Sequence, residues 1–156
     1  MSKKKDFDVN IVAQNRKAYH NYDIQETFEA GIVLLGSEVK SLRNGLGSIG
    51  DSYAAENEGE LWLRNIHIAE YSSASFSNHE PTRPRKILLK KRELNRLLGS
   101  LGRSGISIIP LKIYFNSRGT AKIALGLGKG KKLYDKREDI KKRDWQRSKA
   151  RILRVK

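Results

Sequence analysis

The clearest pattern in the chain is a two-residue alternation near its C-terminal third. Ile109, Leu111, Ile113 and Phe115 alternate with Pro110, Lys112 and Tyr114; after Asn116–Gly119, Ala121, Ile123 and Leu125 alternate with Thr120, Lys122 and Ala124. Strict period two predicts an antiparallel hairpin with one buried face, and it turns Lys122 outward. Gly126, Gly128 and Gly130 follow and are expected to end regular structure. A second hairpin is predicted from Asp51–Glu56 and Glu60–Ile68 around the turn Asn57-Glu58-Gly59. Two further strands are read from the Tyr-rich stretch Ala18–Ile24 and from Glu29–Gly36. Helical spacing appears twice. Ser37 offers an N-cap and Asn44-Gly45 a stop for a short helix over Glu38–Arg43, with Val39 and Leu42 on one side. Leu94, Leu97, Leu98 and Leu101 form one apolar stripe, with Gly99 and Gly102 as stops. A polar loop from Tyr71 to about Arg85 carries Pro81 and Pro84, which bias their predecessors away from helix.

Antiparallel strands with two or three inserted short helices predict a mainly β fold, an OB-like antiparallel barrel. The 156 residues fit one domain with appendages. The boundaries read as a flexible basic leader over 1–14, the barrel over 15–128, and a basic tail over 129–156. The tail holds thirteen Lys or Arg against four Asp or Glu, so nine of the fifteen net positive charges lie there. It is too polar to fold alone and is expected to be disordered when free.

This concentration of charge points to a polyanion: RNA, DNA or an anionic membrane. A membrane binder needs bulky apolar residues opposite its lysines, and no such helix is visible. The longest apolar runs, Ile32–Leu35 and Ile87–Leu89, are far short of the roughly 20 residues of a span. No apolar stretch follows MSKKKDFDVN, so a cytoplasmic protein is expected. The absence of cysteine excludes disulfides and thiolate metal sites.

Catalytic patterns are weak. His20, His67 and His79 show no metal-ligand spacing, and His67, within an apolar strand, reads as a packed core residue. There is no Gly-x-Ser-x-Gly elbow. GLGKGKK (Gly126–Lys132) resembles a phosphate loop, but Lys132 stands where a Walker loop needs Ser or Thr, and Leu125 where it needs Gly. It reads instead as a hinge into the tail. No cofactor, metal or catalytic residue is expected. What remains is recognition: three basic clusters, Asn15–His20, Thr82–Lys86 continuing to Lys90–Arg92, and the tail, with Tyr and Trp interleaved. Aromatic rings beside cations can stack on bases while the cations hold phosphates.

The strings NRKAYHNY, FEAGIVLLGSEVKSLR, GDSYA, NHEPTRPRKILL and LGLGKGKKLYDKREDIKKRDW resemble small protein B, the SsrA-binding protein family, in order from about Asn15 to Trp145. The resemblance implies an OB-type barrel and a non-enzymatic adaptor of bacterial trans-translation. Such a protein binds the tRNA-like domain of transfer-messenger RNA, promotes its alanylation and accompanies it into stalled ribosomes. The implied partners are transfer-messenger RNA and the ribosome, at the small-subunit decoding centre and the messenger-RNA channel. Alanyl-tRNA synthetase and elongation factor Tu act on the same RNA.

By matching motif, the resemblance puts Asn15, Arg16, Lys17, Glu29, Leu89 and Lys122 on the RNA-binding face, Lys122 alone having support from the alternation. Asn15 could instead cap local structure, and Leu89 could belong to the core. The ribosome-contacting tail is implied to use Lys129, Gly130, Lys131, Lys132, Tyr134, Asp135, Lys136, Arg137, Trp145 and Ile152. Within it Gly130 is the hinge, Asp135-Lys136-Arg137 the motif near the decoding centre, Trp145 a stacking anchor, and Ile152 with Leu153 the last apolar pair. The tail is implied to become helical on the ribosome; its helix formers and its four acids suit that change. Two other readings stay open: a ribosomal or RNA-packing protein, and an RNA-processing enzyme that would need a carboxylate or histidine cluster. The like charge favours a monomer.

Overall fold

The computed structural model describes residues 10–72, 78–103, 105–131 and 133–154. In chain order the elements are β1 (Asn10–Gln14), α1 (Ala18–Asn21), β2 (Tyr22–Ile32), α2 (Gly36–Arg43), β3 (Gly47–Ser48), β4 (Tyr53–Asn57), β5 (Glu60–Arg64), β6 (His67–Ile68), β7 (Arg85–Leu88), α3 (Lys91–Leu101), β8 (Ile106–Phe115), β9 (Ala121–Gly130) and α4 (Leu133–Arg154). All strand pairs are antiparallel, in the order β1-β8-β4-β5-β7-β2-β9. The additional β8–β9 pairing closes the ring, so the OB-like barrel expected from the pattern is what forms. β3 and β6 make a separate two-stranded sheet.

The barrel interior is apolar. Phe28, Ala30, Ile32, Leu61, Leu63, Ile87, Ile108, Ile113, Ile123 and Leu125 face inward at alternate positions of their strands, and Leu42 and Leu97 from α2 and α3 join the same core. The predicted stripe on α3 is correct: Leu97 is fully buried while Leu94, Leu98 and Leu101 pack at its edge. Gly99 does not stop this helix, which runs to Leu101 and caps at Gly102. The β4–β5 hairpin turns on Glu58 and Gly59, both at positive φ (52° and 77°), the geometry of a two-residue type I′ turn.

Several expectations change for reasons of packing. The leader is not loose to residue 14, because Asn10–Gln14 pairs with Lys112–Phe115 of β8. Ala18–Asn21 is one helical turn rather than strand, and β2 then runs unbroken through Tyr22–Ile32. The N-cap of α2 is Leu35, not Ser37. His67 is exposed and the buried histidine is His79, since β6 turns Ile68, not His67, into the core.

The glycine-rich segment is also strand. Gly126, Gly128 and Gly130 pair with β2 on one side, and Gly126 and Gly128 also pair with β8 on the other. A Cβ at Gly128 would lie 2.9 Å from the Asp23 carbonyl oxygen, so glycine here permits close strand approach beside the bulge at Ile24–Glu26. The barrel therefore extends to Gly130. Nor is β8 one-sided: a bulge between Pro110 and Lys112 shifts its register. Ile109, Leu111 and Tyr114 then form a second small cluster with Ala18 and Ala124 outside the barrel wall.

Candidate nucleic-acid interface

Five adjacent strands, β1, β8, β9, β2 and β7, share an outer face, on which Tyr114 and Ala124 are buried in the small outer cluster. Cross-strand partners share a face of the sheet, so the pairings define its rows. One row runs Ile11, Tyr114, Lys122, Gly31, Leu88; the next runs Gln14, Lys112, Ala124, Glu29. Glu29 is exposed and Lys122 half-buried, so these two predicted residues are brought onto one face. At Gly31 a Cβ would meet the Leu88 Cβ at 3.3 Å; the missing side chain leaves the centre of the row low, between Lys122 and Leu88.

Leu89 is not on this face. It is half-buried and packs against the main core, whereas Leu88 is 50% exposed. Period two along β7 puts Arg85 and Ile87 inside and Leu88 outside, a signal obscured in the run Ile87–Leu89 by three consecutive apolar residues. Leu88, Ile11 and Lys112 are among the residues of this face that sequence reasoning left out.

Asn15 sits at the end of β1 and is only 4% exposed. Its backbone N–H donates to the Leu111 carbonyl at 2.8 Å, and its Nδ2 donates to the Pro110 carbonyl at 3.1 Å, fastening β1 to the bulge of β8. Its Oδ1 has no partner among the described residues. It borders a cleft of about 400 Å³ lined also by Tyr22, Asp51, Ser52 and Tyr53. Arg16 and Lys17 next to it are exposed. Asn15 thus acts as the anchor of a basic turn, the local structural role that the sequence left open for it.

The second basic cluster has a different fate. The Glu38 carboxylate, wholly buried on α2, accepts from the Leu35 N–H at 2.9 Å, from Arg83 Nη2 and from Arg85 Nε. Arg85 also donates to the carbonyls of Ile66 and Pro81, both at 3.1 Å. Burial pushes the Glu38 carboxyl up, but the Leu35 N–H and the two guanidiniums outweigh it and hold the group below the usual carboxylate range. Burial lowers Arg85, with Glu38 opposing. Beside them His79 Nε2 donates to the Ile68 carbonyl at 2.8 Å, and its Nδ1 hydrogen-bonds the Ser37 hydroxyl at 2.9 Å. Arg83 and Arg85 therefore hold the loop of residues 78–85 onto α2, and Lys86 pairs with Glu60 at 2.8 Å. The cations of this cluster left exposed are Lys90, Lys91 and Arg92.

The tail residues divide. Lys129 and Gly130 belong to β9. Lys132 lies outside the described residues. Tyr134, Asp135, Lys136, Arg137, Trp145 and Ile152 all lie on α4. From Lys141 to Arg154 every side chain is exposed, Trp145 by 70% and Ile152 by 66%. Arg151 and Arg154 occupy the last turn, where cations favour the helix dipole. Among the described residues no group of His, Asp or Glu could hold a metal ion, and no helix is long and apolar enough to cross a membrane.

Comparison with known proteins bears on this face and this helix together. A model of the family described as SmpB protein matches residues 12–155. An SsrA-binding protein of Afipia carboxidovorans is 56% identical over 155 residues, 99% of each chain. One of Sinorhizobium fredii is 59% identical over 144 residues, covering 92% of this chain and 91% of the relative. A solved structure described as "tmRNA-SmpB: a journey to the center of the bacterial ribosome" is similar with a TM-score of 0.65 and 53% identity, over 77% of this chain and 84% of that one.

Proposed function

The chain belongs to the SmpB family, and from that premise we propose that it is an RNA-binding adaptor of trans-translation. The barrel binds the tRNA-like domain of transfer-messenger RNA and promotes its alanylation. The complex enters ribosomes stalled without a stop codon, and the tail probes the empty messenger-RNA channel and the decoding centre. The observation that carries the reading is the match over nearly the whole chain, barrel and tail together, at 52–59% identity to SsrA-binding proteins.

The outer face supports the RNA-binding half. Lys122, Arg16 and Lys17 supply cations, Glu29 accepts from sugar hydroxyls or base amines, and Leu88 offers an apolar surface to a ribose or base. Asn15 serves through the turn it anchors, and Leu89 by seating β7 so that Leu88 stands outward. The exposed α4 supports the other half. Lys136 and Arg137 beside Asp135 meet the decoding centre, and Trp145 stacks where few apolar neighbours surround it. Lys129, Lys131 and Lys132 bring charge to the junction at Gly130, with Tyr134 following and Ile152 engaging further along. The segment is disordered in the free protein and orders as helix among ribosomal phosphates. Alanyl-tRNA synthetase and elongation factor Tu meet the adaptor on the same RNA, and it acts in the cytoplasm as a monomer.

The test is binding of the full chain and of a chain ending at Lys131 to a tRNA-like domain and to a length-matched duplex, over a salt series. Each phosphate contact adds about 0.7 to 0.9 to the log–log salt slope. Both proteins should prefer the tRNA-like RNA, and only the full chain should support tagging. Loss of preference on truncation, or no preference at all, would favour a generic RNA-packing role. Alanine at Asp135, Lys136 and Arg137 together should spare RNA affinity and abolish tagging.

A further inference from the structure

The side of α3 turned away from the core breaks the rules that stabilise a helix. Leu97 is fully buried and Leu94, Leu98 and Leu101 pack at the edge of the core, so the opposite side faces solvent. There Lys91, Arg92, Arg96 and Gly99 are exposed, and so is Arg103 just beyond the C-cap. Arg96 pairs with Glu26 at 2.8 Å. Lys91, Arg92 and Arg103 have no ion pair among the described residues. Residues three and four apart are neighbours on a helix, so Arg92, Arg96, Gly99 and Arg103 make one row. It runs about 16 Å along the helix axis.

Nothing in the packing asks for this composition. Like charges along one row repel, and cations in the first turn oppose the helix dipole. Gly99 adds a further cost. Alanine favours helix more, and a Cβ at Gly99 would meet nothing within 4 Å. Local rules broken on an exposed side, with no compensating contact inside the protein, point to a partner outside it. An anionic partner offsets the repulsion, and a residue without a side chain lets that partner's backbone come close.

We propose that this side of α3 is a second RNA-contacting surface. Lys91, Arg92 and Arg103 hold phosphates on a duplex arm of the same RNA that the outer strands bind, and Gly99 lets that backbone lie against the helix. Continuity selects the partner. β7 leads straight into α3, and Lys90 follows the exposed Leu88 by two residues, within about 7 Å of backbone. The row offers cations and no exposed aromatic ring, so it suits phosphates rather than unstacked bases. The inference goes beyond the strand face and rests on the RNA-binding reading of it.

The experiment uses the full chain. Affinity for a tRNA-like domain is measured over a salt series in wild type and two triple variants. One carries Lys91→Gln, Arg92→Gln and Arg103→Gln. The other carries Lys40→Gln, Arg64→Gln and Arg118→Gln, which removes the same charge from exposed positions elsewhere. Each lost phosphate contact makes the log–log slope shallower by about 0.7 to 0.9, so the α3 variant should lose about 2 and the control less than one contact. Gly99→Gln should leave the urea midpoint unchanged or higher, because glutamine is the better helix former, and should weaken RNA binding severalfold. A merely solvated helix predicts equal slopes in the two triple variants and unchanged affinity in Gly99→Gln; either result overturns the proposal. Weaker ribosome association with an unchanged slope on the tRNA-like RNA would give the surface to ribosomal RNA and overturns it as well. Failure of the trans-translation reading would appear separately, as no preference of the wild type for tRNA-like RNA over a length-matched duplex.

Discussion

Arg85 and Arg151 carry the same guanidinium to opposite ends of the range of environments. Arg85 has no exposed surface, and its donors go to the Glu38 carboxylate and to the carbonyls of Ile66 and Pro81. Arg151 stands in solvent on the last turn of α4. The first is bound into the fold and cannot be offered to a phosphate without undoing it. The second has no partner outside its own helix among the described residues and is available to a partner. A count of basic residues treats them alike; the structure separates cations that maintain the barrel from cations that can recognise RNA.

Removing the buried carboxylate should break this contrast most forcefully. Glu38→Ala leaves two guanidiniums without their anion, one of them fully buried, and is expected to lower unfolding free energy by about 3–5 kcal/mol. Arg151→Ala should change it by less than about 0.5 kcal/mol. Urea denaturation of both variants measures the difference; equal effects would refute it.

Acid tests the same group without mutation. Glu38 titrates lower in the folded chain than in the unfolded chain, so its stabilisation is complete above the ordinary glutamate range and is lost as pH falls through the folded value. The urea midpoint should therefore decline as pH drops below about 4, and the decline should be shallower in Glu38→Gln. A slope identical in the two proteins would assign acid sensitivity elsewhere.

The boundary between barrel and tail is sharpened by two glycines. Gly128→Ala forces a Cβ against the Asp23 carbonyl and should cost about 1–3 kcal/mol. Gly130→Ala, two residues later, meets nothing within 4 Å and should stay within about 0.5 kcal/mol. Equal losses at both positions would mean that the approach of the Asp23 carbonyl is not what demands glycine at 128.

The smallest effect on stability is expected at the largest exposed side chain. Trp145→Ala should shift the urea midpoint imperceptibly, below about 0.5 kcal/mol, while tagging on stalled ribosomes falls severalfold. A clear destabilisation would show that Trp145 packs on the body after all.

What could be read from the chain alone was whatever is local. The alternation from Ile109 to Leu125, the leucine stripe of α3 and the Glu58-Gly59 turn each depend on residues within a few positions of one another, and each formed much as the spacing predicts. That the tail offers no wide apolar face could be read too, and from Lys141 to Arg154 every side chain is exposed. What failed depended on partners distant in sequence. Arg83 and Arg85 meet Glu38 across 45 and 47 residues. Gly126 and Gly128 look like a hinge until Asp23 and Ile24 cross beside them. The bulge at Pro110–Lys112 gives β8 a second buried face that strict alternation cannot foresee, and the choice between Leu88 and Leu89 waits on the register with Gly31. Local propensity and periodicity are properties of the chain itself, so the sequence by itself determined the elements whose pattern is local, such as the β4–β5 hairpin and α3. Which charge is neutralised, which glycine is crowded and which face meets solvent are properties of contacts between elements, and these the closing of the barrel decided.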